Sequence, residues 1–541
     1  MCFDILILLM DIILKEIKAN PYLKLIARQL NKYPQEFYLV GGYLRDLFLK
    51  RKKEVFDFDF ALSKDAIKIG RKIAQSLKSG FVVLDKEHGS CRIVYNQGGL
   101  GYRKLNHGPL ASGQSCNFDF TDFRGSTRLT TGGSTRLTTG GSTRLTTGGS
   151  TLLTTSGRDI FADLGHRDFT INSLGLDLKA LGKAKKTEDI LIDQYGALRD
   201  IKNRTIRVIS DFSFVEDPLR ILRAYSLSAV LDFRIELETK ILIQKHKNKI
   251  ISSAFERVSE ELFKILNSGN AFDAFKAMAD SGVLDEIIPE IKAMRKVSQG
   301  PYHHLDVYRH CFEALKQIER LFEELKRYRD IQLFLNRIIS GTHTKRALLK
   351  FSAFLHDIGK PVSKEHIKDK ICFHGHERTG RNIVRAIAER LRLSNDERNA
   401  LDKIIFWHLR PGYLADLKNL SRRAVYRYFR DTQNEAVSVL LLSIADQRST
   451  RGPLTRGANR KHHEDVCLGL AKDFFKKSKE KKLTKLINGD DLMAEFKLEP
   501  GPLIGKLLIA VEEAQAVGDV RDKAQAFILA KKLLKKKSKI K

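Results

Sequence analysis

Strict alternation of phenylalanine and aspartate from Phe56 to Phe60 constrains the fold of this chain more than any other feature of its sequence. Side chains of a β-strand alternate between two faces, so Asp57 and Asp59 share one face and the phenylalanines share the other. Two neighbouring carboxylates repel unless a cation lies between them, which favours a divalent metal. The alternative is the solvent-facing side of an ordinary half-buried strand.

The residues before this strand follow a strand, turn and helix pattern. The run FYLV leads into Gly41 and Gly42, and a helix with Arg45 and Asp46 follows. Glycines at such a turn let backbone N–H groups and a helix N-terminus approach a phosphate, although a Gly-Gly pair alone usually marks a simple turn. Two more β-like runs, GFVVL and CRIVY, come next, so the chain begins with an α/β region.

From Asp217 onward the apolar residues recur with helical spacing, which predicts a long helical body after a small α/β head. The fold class is therefore α+β. At roughly 150 residues per domain, 541 residues suggest three or four domains. Lys and Arg number 96 against 65 Asp and Glu, an excess of 31 positive charges. That excess favours a polyanionic partner, nucleic acid first and a membrane surface second.

The cysteines and the first apolar run predict a cytoplasmic protein. The six cysteines are scattered without a C-x-x-C pair, which favours a reducing compartment and gives no zinc-site spacing. Residues 5–14, ILILLMDIIL, contain Asp11 and are too short to span a membrane, so we expect an amphipathic helix and no membrane attachment.

A tandem repeat interrupts the α/β region. Residues 125–148 are three copies of GSTRLTTG, and a degenerate fourth copy, GSTLLTTS, covers residues 149–156. Each copy holds little apolar surface, so its burial offsets little of the entropy lost on ordering. We expect a solvated loop, with a short β-solenoid as the alternative, and the glycine-rich residues 97–115 predict another loop.

Four motifs of the first half resemble one known family. G-G-x-x-R-D followed after eleven residues by D-x-D resembles the nucleotidyltransferase head of the class II tRNA nucleotidyltransferase and poly(A) polymerase family. HRDFTINSL, residues 166–174, resembles its R-R-D-F-T-I-N-A-L element, with His166 in place of the first arginine. EDPLRILRA, residues 216–224, resembles its E-D-x-x-R element, and ERVSEEL, residues 256–262, the helical element that follows.

The resemblance implies a role for each matching residue. It implies catalysis by Asp57 and Asp59 with two Mg²⁺ ions, and it makes Asp119 of the segment FDF the candidate third acid; a turn aspartate is the alternative. It implies that Asp217 and Arg220 act as a protein template for cytosine or adenine, whereas Asp217-Pro218 also suits a helix cap. The remaining nucleotide-binding candidates are Gly41, Gly42, Arg45, Asp46, Arg167, Asp168, Asn172 and Arg223.

A second set of motifs resembles the HD phosphohydrolase superfamily, an all-helical fold that binds metal. The resemblance implies four ligands in chain order, His310, His356, Asp357 and Asp446. Imidazole and carboxylate ligands suit a transition metal such as Mn, Ni, Co or Zn. A buried, mutually hydrogen-bonded His-Asp pair is the alternative. Further candidates for a second metal or a phosphate are His374, His376 and His408. Lys360 could also approach a phosphate, but the simpler interpretation is a surface lysine.

The last region, residues 488–534, resembles the C-terminal helical element of HD-containing members of the family. Lys506, Arg521 and Lys523 predict a basic surface for the RNA body. The domain expectation is a head at 1–178, a neck at 179–295, an HD domain at 296–455 and an RNA-binding region at 456–541.

Taken together, the sequence predicts a cytoplasmic enzyme that adds C, A or both to tRNA 3′ ends, with tRNA, CTP and ATP as partners. Three alternatives stay open at the level of sequence. They are a poly(A) polymerase, a metal-dependent phosphohydrolase that acts on RNA ends or nucleotides, and an RNA-binding scaffold with a disabled head. The complete D-x-D argues against the scaffold.

Overall fold

A computed structural model describes most of the chain, as ten segments. They are residues 2–51, 56–96, 115–124, 144–147, 150–153, 159–301, 303–368, 370–453, 457–478 and 484–538. The chain divides into two units, residues 1–249 and 250–541. Among the described residues, every helix is too short or too polar to cross a membrane.

The strands belong mostly to the first unit. In chain order they are β1 Phe37–Val40, β2 Phe56–Leu62, β3 Gly80–Asp85, β4 Ser90–Asn96, β5 Ser115–Asp122, β6 Arg144–Thr147, β7 Ser150–Leu153, β8 Gly175–Asp177, β9 Leu191–Ile192, β10 Thr205–Ile206, β11 Arg234–Ile235, β12 Ile338–Ser340, β13 His343–Thr344, β14 Glu365–Ile367 and β15 Lys370–Cys372.

The α-helices fill most of the remaining described chain. They are α1 Cys2–Ala19, α2 Pro21–Leu30, α3 Gly42–Phe48, α4 Ala66–Ser76, α5 Ile160–Gly165, α6 Ala197–Lys202, α7 Ser213–Glu216, α8 Leu219–Leu231, α9 Leu237–His246, α10 Phe255–Asn267, α11 Ala271–Ser281, α12 Val283–Ile287, α13 Val307–Glu324, α14 Arg329–Leu335, α15 Lys345–Leu355, α16 His376–Arg390, α17 Asn395–Trp407, α18 Arg410–Ala415, α19 Arg422–Thr432, α20 Ala436–Ser449, α21 Gly457–Ser478, α22 Gly489–Phe496, α23 Pro502–Val517 and α24 Lys523–Ser538.

Short 3₁₀ segments join some of these elements. They lie at Thr170–Asn172, Thr187–Asp189, Lys247–Ser252, Pro289–Met294, Leu325–Arg327 and Gln433–Glu435.

The first unit is built on a seven-stranded sheet with the order β3-β4-β5-β2-β1-β8-β9. Strands β2 and β5 are parallel, and the other neighbours are antiparallel. The predicted α/β head is therefore confirmed, and so are the four predicted β-runs. Because β9 (Leu191–Ile192) pairs with β8, the sheet continues beyond residue 178, where the sequence suggests that the head ends. The four-domain division remains a prediction.

The alternation in β2 produces the buried face that the sequence predicts. Phe58 and Phe60 are buried, and they stack on Phe118 and Phe120 of the parallel neighbour β5 at ring-centroid distances of 5.8 Å and 5.2 Å. Burial of large aromatic side chains is the main stabilising term available to such a sheet. The acidic side chains of the same two strands therefore lie on the opposite face of the sheet.

The second unit is helical apart from short hairpins, as predicted. Its central helix α20 is apolar on every side, and residues such as Leu441 and Leu442 are fully buried, as expected of a helix enclosed by others. Helix α13 packs against α15 and α20, which brings together the segments that carry the HD motifs. A separate apolar cluster, centred on Leu492, Leu507 and Val511, joins α22, α23 and α24.

The repeats contain regular structure that their composition does not predict. Strand β6 in the third copy pairs antiparallel with β7 in the fourth copy, with Leu145 opposite Leu152. The loop prediction is therefore wrong for these residues, because cross-strand pairing depends on register rather than on composition. The hairpin is a sheet of its own, outside the seven-stranded sheet. The other repeat residues, and the predicted loop at 97–115 apart from Ser115, lie outside the described residues.

Candidate active site and metal centre

The two glycines form the turn between β1 and α3. Gly41 has φ of 81°, a backbone conformation that other residues rarely adopt. A Cβ atom at this position would lie 2.9 Å from Asp59 Oδ2 and 2.9 Å from Arg167 Nη1. Asp59 and Arg167, both predicted site residues, therefore border the space beside Gly41, which a larger side chain would fill.

The predicted acids lie on one face of two paired strands. In the register of β2 with β5, Asp57 is opposite Asn117 and Asp59 is opposite Asp119. Asp57 is exposed and accepts a hydrogen bond of 2.8 Å from Asn117 Nδ2. Burial, together with Asp119 and Asp57, raises the pKa of Asp59 against the opposing effect of nearby arginines such as Arg167. These carboxylates form a site that favours a cation.

Asp119 has a partner that sequence reasoning missed. Arg92 of β4 binds it through two hydrogen bonds of 2.7 Å, from Nε to Oδ1 and from Nη2 to Oδ2. The two residues are directly opposite in the antiparallel pairing of β4 with β5. The turn aspartate considered as an alternative does not apply, because Asp119 lies within β5. The negative charge of Asp119 is therefore paired with the guanidinium of Arg92.

One hydrogen-bond network joins all three sequence motifs of the head. Arg45 donates to Asp46 Oδ1 at 2.8 Å and 2.9 Å and to Asn172 Oδ1 at 2.7 Å. Asn172 Nδ2 donates to Asp168 Oδ1 at 2.9 Å, and Arg223 donates to Asp168 Oδ2. Burial raises the pKa of Asp168, but Arg223 and these hydrogen bonds outweigh it and lower the pKa overall. Five predicted nucleotide-binding residues thus form one connected unit.

The residues of the predicted template lie at the start of α8. Asp217 Oδ1 accepts the backbone N–H of Leu219 at 3.2 Å, so the capping alternative is realised. The buried Arg220 donates to Glu216 Oε2 at 3.0 Å and to the His166 carbonyl at 2.7 Å. Glu216 also lies 3.1 Å from His166 Nδ1. Glu216, whose role sequence reasoning missed, therefore contacts both Arg220 and His166.

In the second unit, the four predicted HD ligands converge. His310 lies on α13, His356 and Asp357 follow α15, and Asp446 lies on α20. His310 Nε2 is 3.0 Å from Asp446 Oδ1 and 3.5 Å from Asp357 Oδ2, and His356 Nε2 is 3.2 Å from Asp357 Oδ2. His310, His356 and Asp357 are almost fully buried and could hold one metal ion together.

Two of the three further histidines complete a second group. His376 Nε2 is 3.4 Å and His408 Nε2 is 3.8 Å from Asp357 Oδ1, so Asp357 belongs to both groups. Both histidines donate Nδ1–H to a backbone carbonyl at 2.7 Å, and their Nε2 atoms face each other at 3.3 Å. Two facing nitrogen atoms can share a proton or bind a metal ion, and the carboxylate of Asp357 beside them fits a metal. His374 is exposed and belongs to neither group.

Lys360 does not lie on the surface, so the surface-lysine interpretation is wrong. It is 8% exposed, its Nζ lies 2.6 Å from Asp357 Oδ2, and it donates a hydrogen bond of 2.6 Å to Gln299 Oε1. A buried ammonium is stable only when paired, and the buried Asp357 supplies the pair.

The C-terminal cations Lys506, Arg521 and Lys523 are exposed, as predicted, and Lys523 contacts Asp491 at 2.7 Å.

Family models match four parts of the chain. Residues 37–207 match the poly A polymerase head domain, and residues 232–295 match a model described as an RNA and SrmB-binding site of polymerase A. Residues 307–451 match the HD domain, and residues 475–530 match domain 2 of tRNA nucleotidyltransferases.

Known relatives cover most of the chain. An A-adding tRNA nucleotidyltransferase of Deinococcus radiodurans is 30% identical over 379 residues, which is 68% of this chain and 78% of that protein. A CC-adding tRNA nucleotidyltransferase of Geobacter sulfurreducens is 26% identical over 92% of both chains. The fold matches the Thermotoga maritima CCA-adding enzyme complexed with tRNA with a TM-score of 0.56 at 22% identity, over 97% of this chain and 98% of that one. The chain therefore belongs to the tRNA nucleotidyltransferase and poly(A) polymerase family, and it carries an HD domain.

Proposed function

We propose that this enzyme adds C, A or both to the 3′ end of tRNA, using CTP and ATP. The observation that carries the proposal is the meeting of Gly41, Asp59 and Arg167 beside the network that joins the three head motifs. Relatives named as A-adding and CC-adding tRNA nucleotidyltransferases support the tRNA substrate. The excess of 31 positive charges also suits a nucleic-acid substrate.

The metal of the head would be held by Asp57 and Asp59. Their oxygen ligands suit Mg²⁺, and a cation would offset the repulsion between neighbouring carboxylates that share one face of the sheet. When bound, such an ion stabilises negative charge on a transferring phosphoryl group and its leaving group. We propose Asp119 as a third acid that orients this site through its ion pair with Arg92.

The protein residues around this site have separable roles in the proposal. Arg167 contributes positive charge next to Gly41, where the triphosphate would approach the turn. Asp168 fixes Arg223 and is itself fixed by Asn172, so that the ribose and phosphate contacts are preorganised before the nucleotide binds. Arg220 is held in place by Glu216, ready to face a base beside Asp217.

The test of this function is product sequencing. Purified protein is given a tRNA transcript that ends before CCA, one that ends in CC, and a generic oligoribonucleotide, each with CTP, ATP or both. We expect addition to the tRNA transcripts only, and a short, defined product. Long A tails on the generic oligonucleotide would instead establish a poly(A) polymerase.

A second candidate function follows from the two metal-ligand groups that share Asp357. We propose that the HD domain binds a transition metal such as Mn, Ni, Co or Zn through His310, His356, Asp357 and Asp446, with His376 and His408 for a second ion. Such a metal lowers the pKa of bound water to near neutrality, which suits hydrolysis of a phosphoester. The Nδ1 donors to backbone carbonyls orient three of the histidines: His356, His376 and His408.

The HD proposal is tested by the double variant His356→Gln, Asp357→Asn. We expect loss of bound metal in elemental analysis and loss of 2′,3′-cyclic nucleotide hydrolysis, while nucleotide addition continues. His374→Gln is the matched control, since His374 is exposed and outside both groups. If the unmutated protein hydrolyses nothing with any of the four metals, the proposed hydrolytic activity is wrong.

A further inference from the structure

A cavity of about 770 Å³ lies in the second unit, away from the residues of the HD cluster. One wall is formed by residues 328–333, and the other by the last turns of α21. Its volume falls within the roughly 300–1,000 Å³ typical of ligand sites. The side chains that matter for its chemistry are Tyr328, Arg329, Leu333, Lys472, Phe475 and Lys476.

The charge of the cavity is positive. The lining contains three cations, Arg329, Lys472 and Lys476, and one acid, Asp330, which leaves an excess of two positive charges. All three cations are exposed, and within the part of the chain that the structure describes no acidic side chain is placed in ion-pair contact with them. Cations on both walls therefore remain available to an anionic ligand.

The aromatic residues of the cavity are half-buried and oriented by neighbours. Phe475 meets Phe334 edge-on at a centroid distance of 6.2 Å and Phe474 at 5.7 Å. The Arg327 guanidinium lies 5.2 Å from the ring centroid of Tyr328 and donates to its hydroxyl at 3.4 Å. Fixed aromatic rings among unpaired cations are the usual composition of sites that stack single-stranded bases.

We propose that this cavity binds an unpaired nucleotide of the RNA substrate, outside the catalytic head. The base would stack on Tyr328 or Phe475, and the flanking phosphates would contact Arg329 on one wall and Lys472 and Lys476 on the other. Cations on both walls suit a chain that carries a phosphate on each side of the base. The inference rests on the proposed function, because nucleotide addition requires an RNA substrate.

The experiment measures binding of fluorescently labelled tRNA without its CCA end to the full-length protein. Two double variants are compared with the unmutated protein: Tyr328→Leu with Phe475→Leu, and Lys472→Gln with Lys476→Gln. The matched control is Lys370→Gln with Lys418→Gln, two exposed lysines outside the cavity and outside the segment that matches an RNA-binding model. Thermal melting of each variant verifies the fold.

We expect the aromatic variant to bind about five- to a hundredfold more weakly, the range typical of losing base stacking. The lysine variant should bind more weakly and reduce the slope of log affinity against log salt by about 1.4, since each phosphate contact to a single strand contributes about 0.7. The control pair should leave affinity nearly unchanged. RNA that carries 4-thiouridine should crosslink to the peptide containing Phe475, and unlabelled RNA should compete while ATP should not.

Unchanged affinity in both cavity variants, or a crosslink that ATP displaces, would overturn the assignment to RNA. If the aromatic variant is unstable, the lysine variant still tests the proposal, because Lys472 and Lys476 are exposed and their replacement should not disturb the fold. Binding is measured without nucleotide addition, so the two proposals fail separately. A protein that binds tRNA through the cavity but adds no nucleotide refutes only the proposed function, and one that adds nucleotides with unaltered binding in the variants refutes only this inference.

Discussion

The resemblance of residues 216–224 to the family's E-D-x-x-R element predicts a base-reading role for Asp217, whereas in the structure its carboxylate accepts the N–H of Leu219 at the start of α8. Two different requirements thus fall on one residue, recognition of a base and satisfaction of a helix N-terminus. In this structure the second requirement is met. Recognition of a base would require the carboxylate to exchange this contact for the exocyclic amine of cytosine or adenine.

Replacement of Asp217 by Ala separates these roles. We expect the preference for CTP and ATP over UTP and GTP to fall by about 1–3 kcal/mol, the usual contribution of a bidentate base contact. Loss of the contact to α8 should also cost about 1 kcal/mol of stability. Incorporation assays with each nucleotide measure the first effect, and thermal melting measures the second.

Asp211→Ala is the control for that measurement, because Asp211 is an exposed acid of the same segment. Unchanged base choice in Asp217→Ala, together with a lowered melting temperature, would leave the residue with a capping role only.

The site residues show what a single sequence can predict at the residue scale. The sequence pattern placed Asp57 and Asp59 on one face correctly, because side chains two residues apart in a strand always lie on the same face, whatever the neighbouring strands are. The ion pair of Asp119 with Arg92 and the contact of Glu216 with His166 could not be predicted this way, since contacts between segments far apart in sequence depend on register and topology. Lys360 was misplaced for the same reason: the burial of its ammonium depends on a segment distant in sequence, which supplies Gln299.

At the scale of elements, Glu513 on α23 joins the C-terminal helices to α19. It accepts two hydrogen bonds from Arg427, at 2.7 Å and 2.9 Å, and lies 3.3 Å from Arg423 Nε. The hydrogen bond from Arg427 lowers the pKa of Glu513, and burial only partly opposes this. A carboxyl whose pKa is lowered on folding stabilises the folded state above its ordinary pKa, and this stabilisation is lost as the pH falls.

Glu513→Gln should therefore lower stability near neutral pH by about 1–2 kcal/mol, the contribution typical of hydrogen bonds to a charged group. As the pH falls from about 5 through the ordinary pKa of a glutamate and then through the lowered pKa of Glu513, the melting temperature of the unmutated protein should fall more steeply than that of the variant. Glu499→Gln, at an exposed position, is the control. Parallel pH profiles for the Glu513 variant and the unmutated protein would contradict this account.

The hairpin β6–β7 is the second element with a testable role. It forms a two-stranded sheet of its own, and an isolated hairpin is at best marginally stable. Deletion of three whole repeats, residues 125–148, should then change the free energy of unfolding by less than about 0.5 kcal/mol. Phe118→Ala, which removes a buried ring of β5, should cost about 3–5 kcal/mol and verifies the sensitivity of the melting assay. A loss of similar size on deletion would mean that the repeats support the head.

Elements were easier to predict than their pairing. The four β-runs of the head and the helical body follow from local periodicity, which needs no tertiary information. The seven-stranded order, with β5 parallel to β2, could not be predicted, because it depends on contacts between segments far apart in sequence. The hairpin in the repeats was missed because eight-residue units with one leucine give no alternation to detect.

For the whole molecule, family membership and internal geometry agree. The head motifs share one network in the first unit, and the HD ligands share one cluster in the second. Each unit thus brings the candidate residues of its own proposed site together. We therefore expect nucleotide addition to require the head acids, and RNA affinity to depend on other surfaces.

The measurement that tests this claim most directly compares the unmutated protein with Asp57→Asn and Asp59→Asn in single-turnover addition to tRNA without CCA. We expect C or A at the tRNA 3′ end with the unmutated protein, and a rate at least about a thousandfold lower in either variant, because charge stabilisation by a metal contributes several kcal/mol. Binding of tRNA should be unchanged, and Asp65→Asn, at an exposed position after β2, should retain full activity. Addition at near-normal rates in both variants, or no addition by the unmutated protein, would contradict the account.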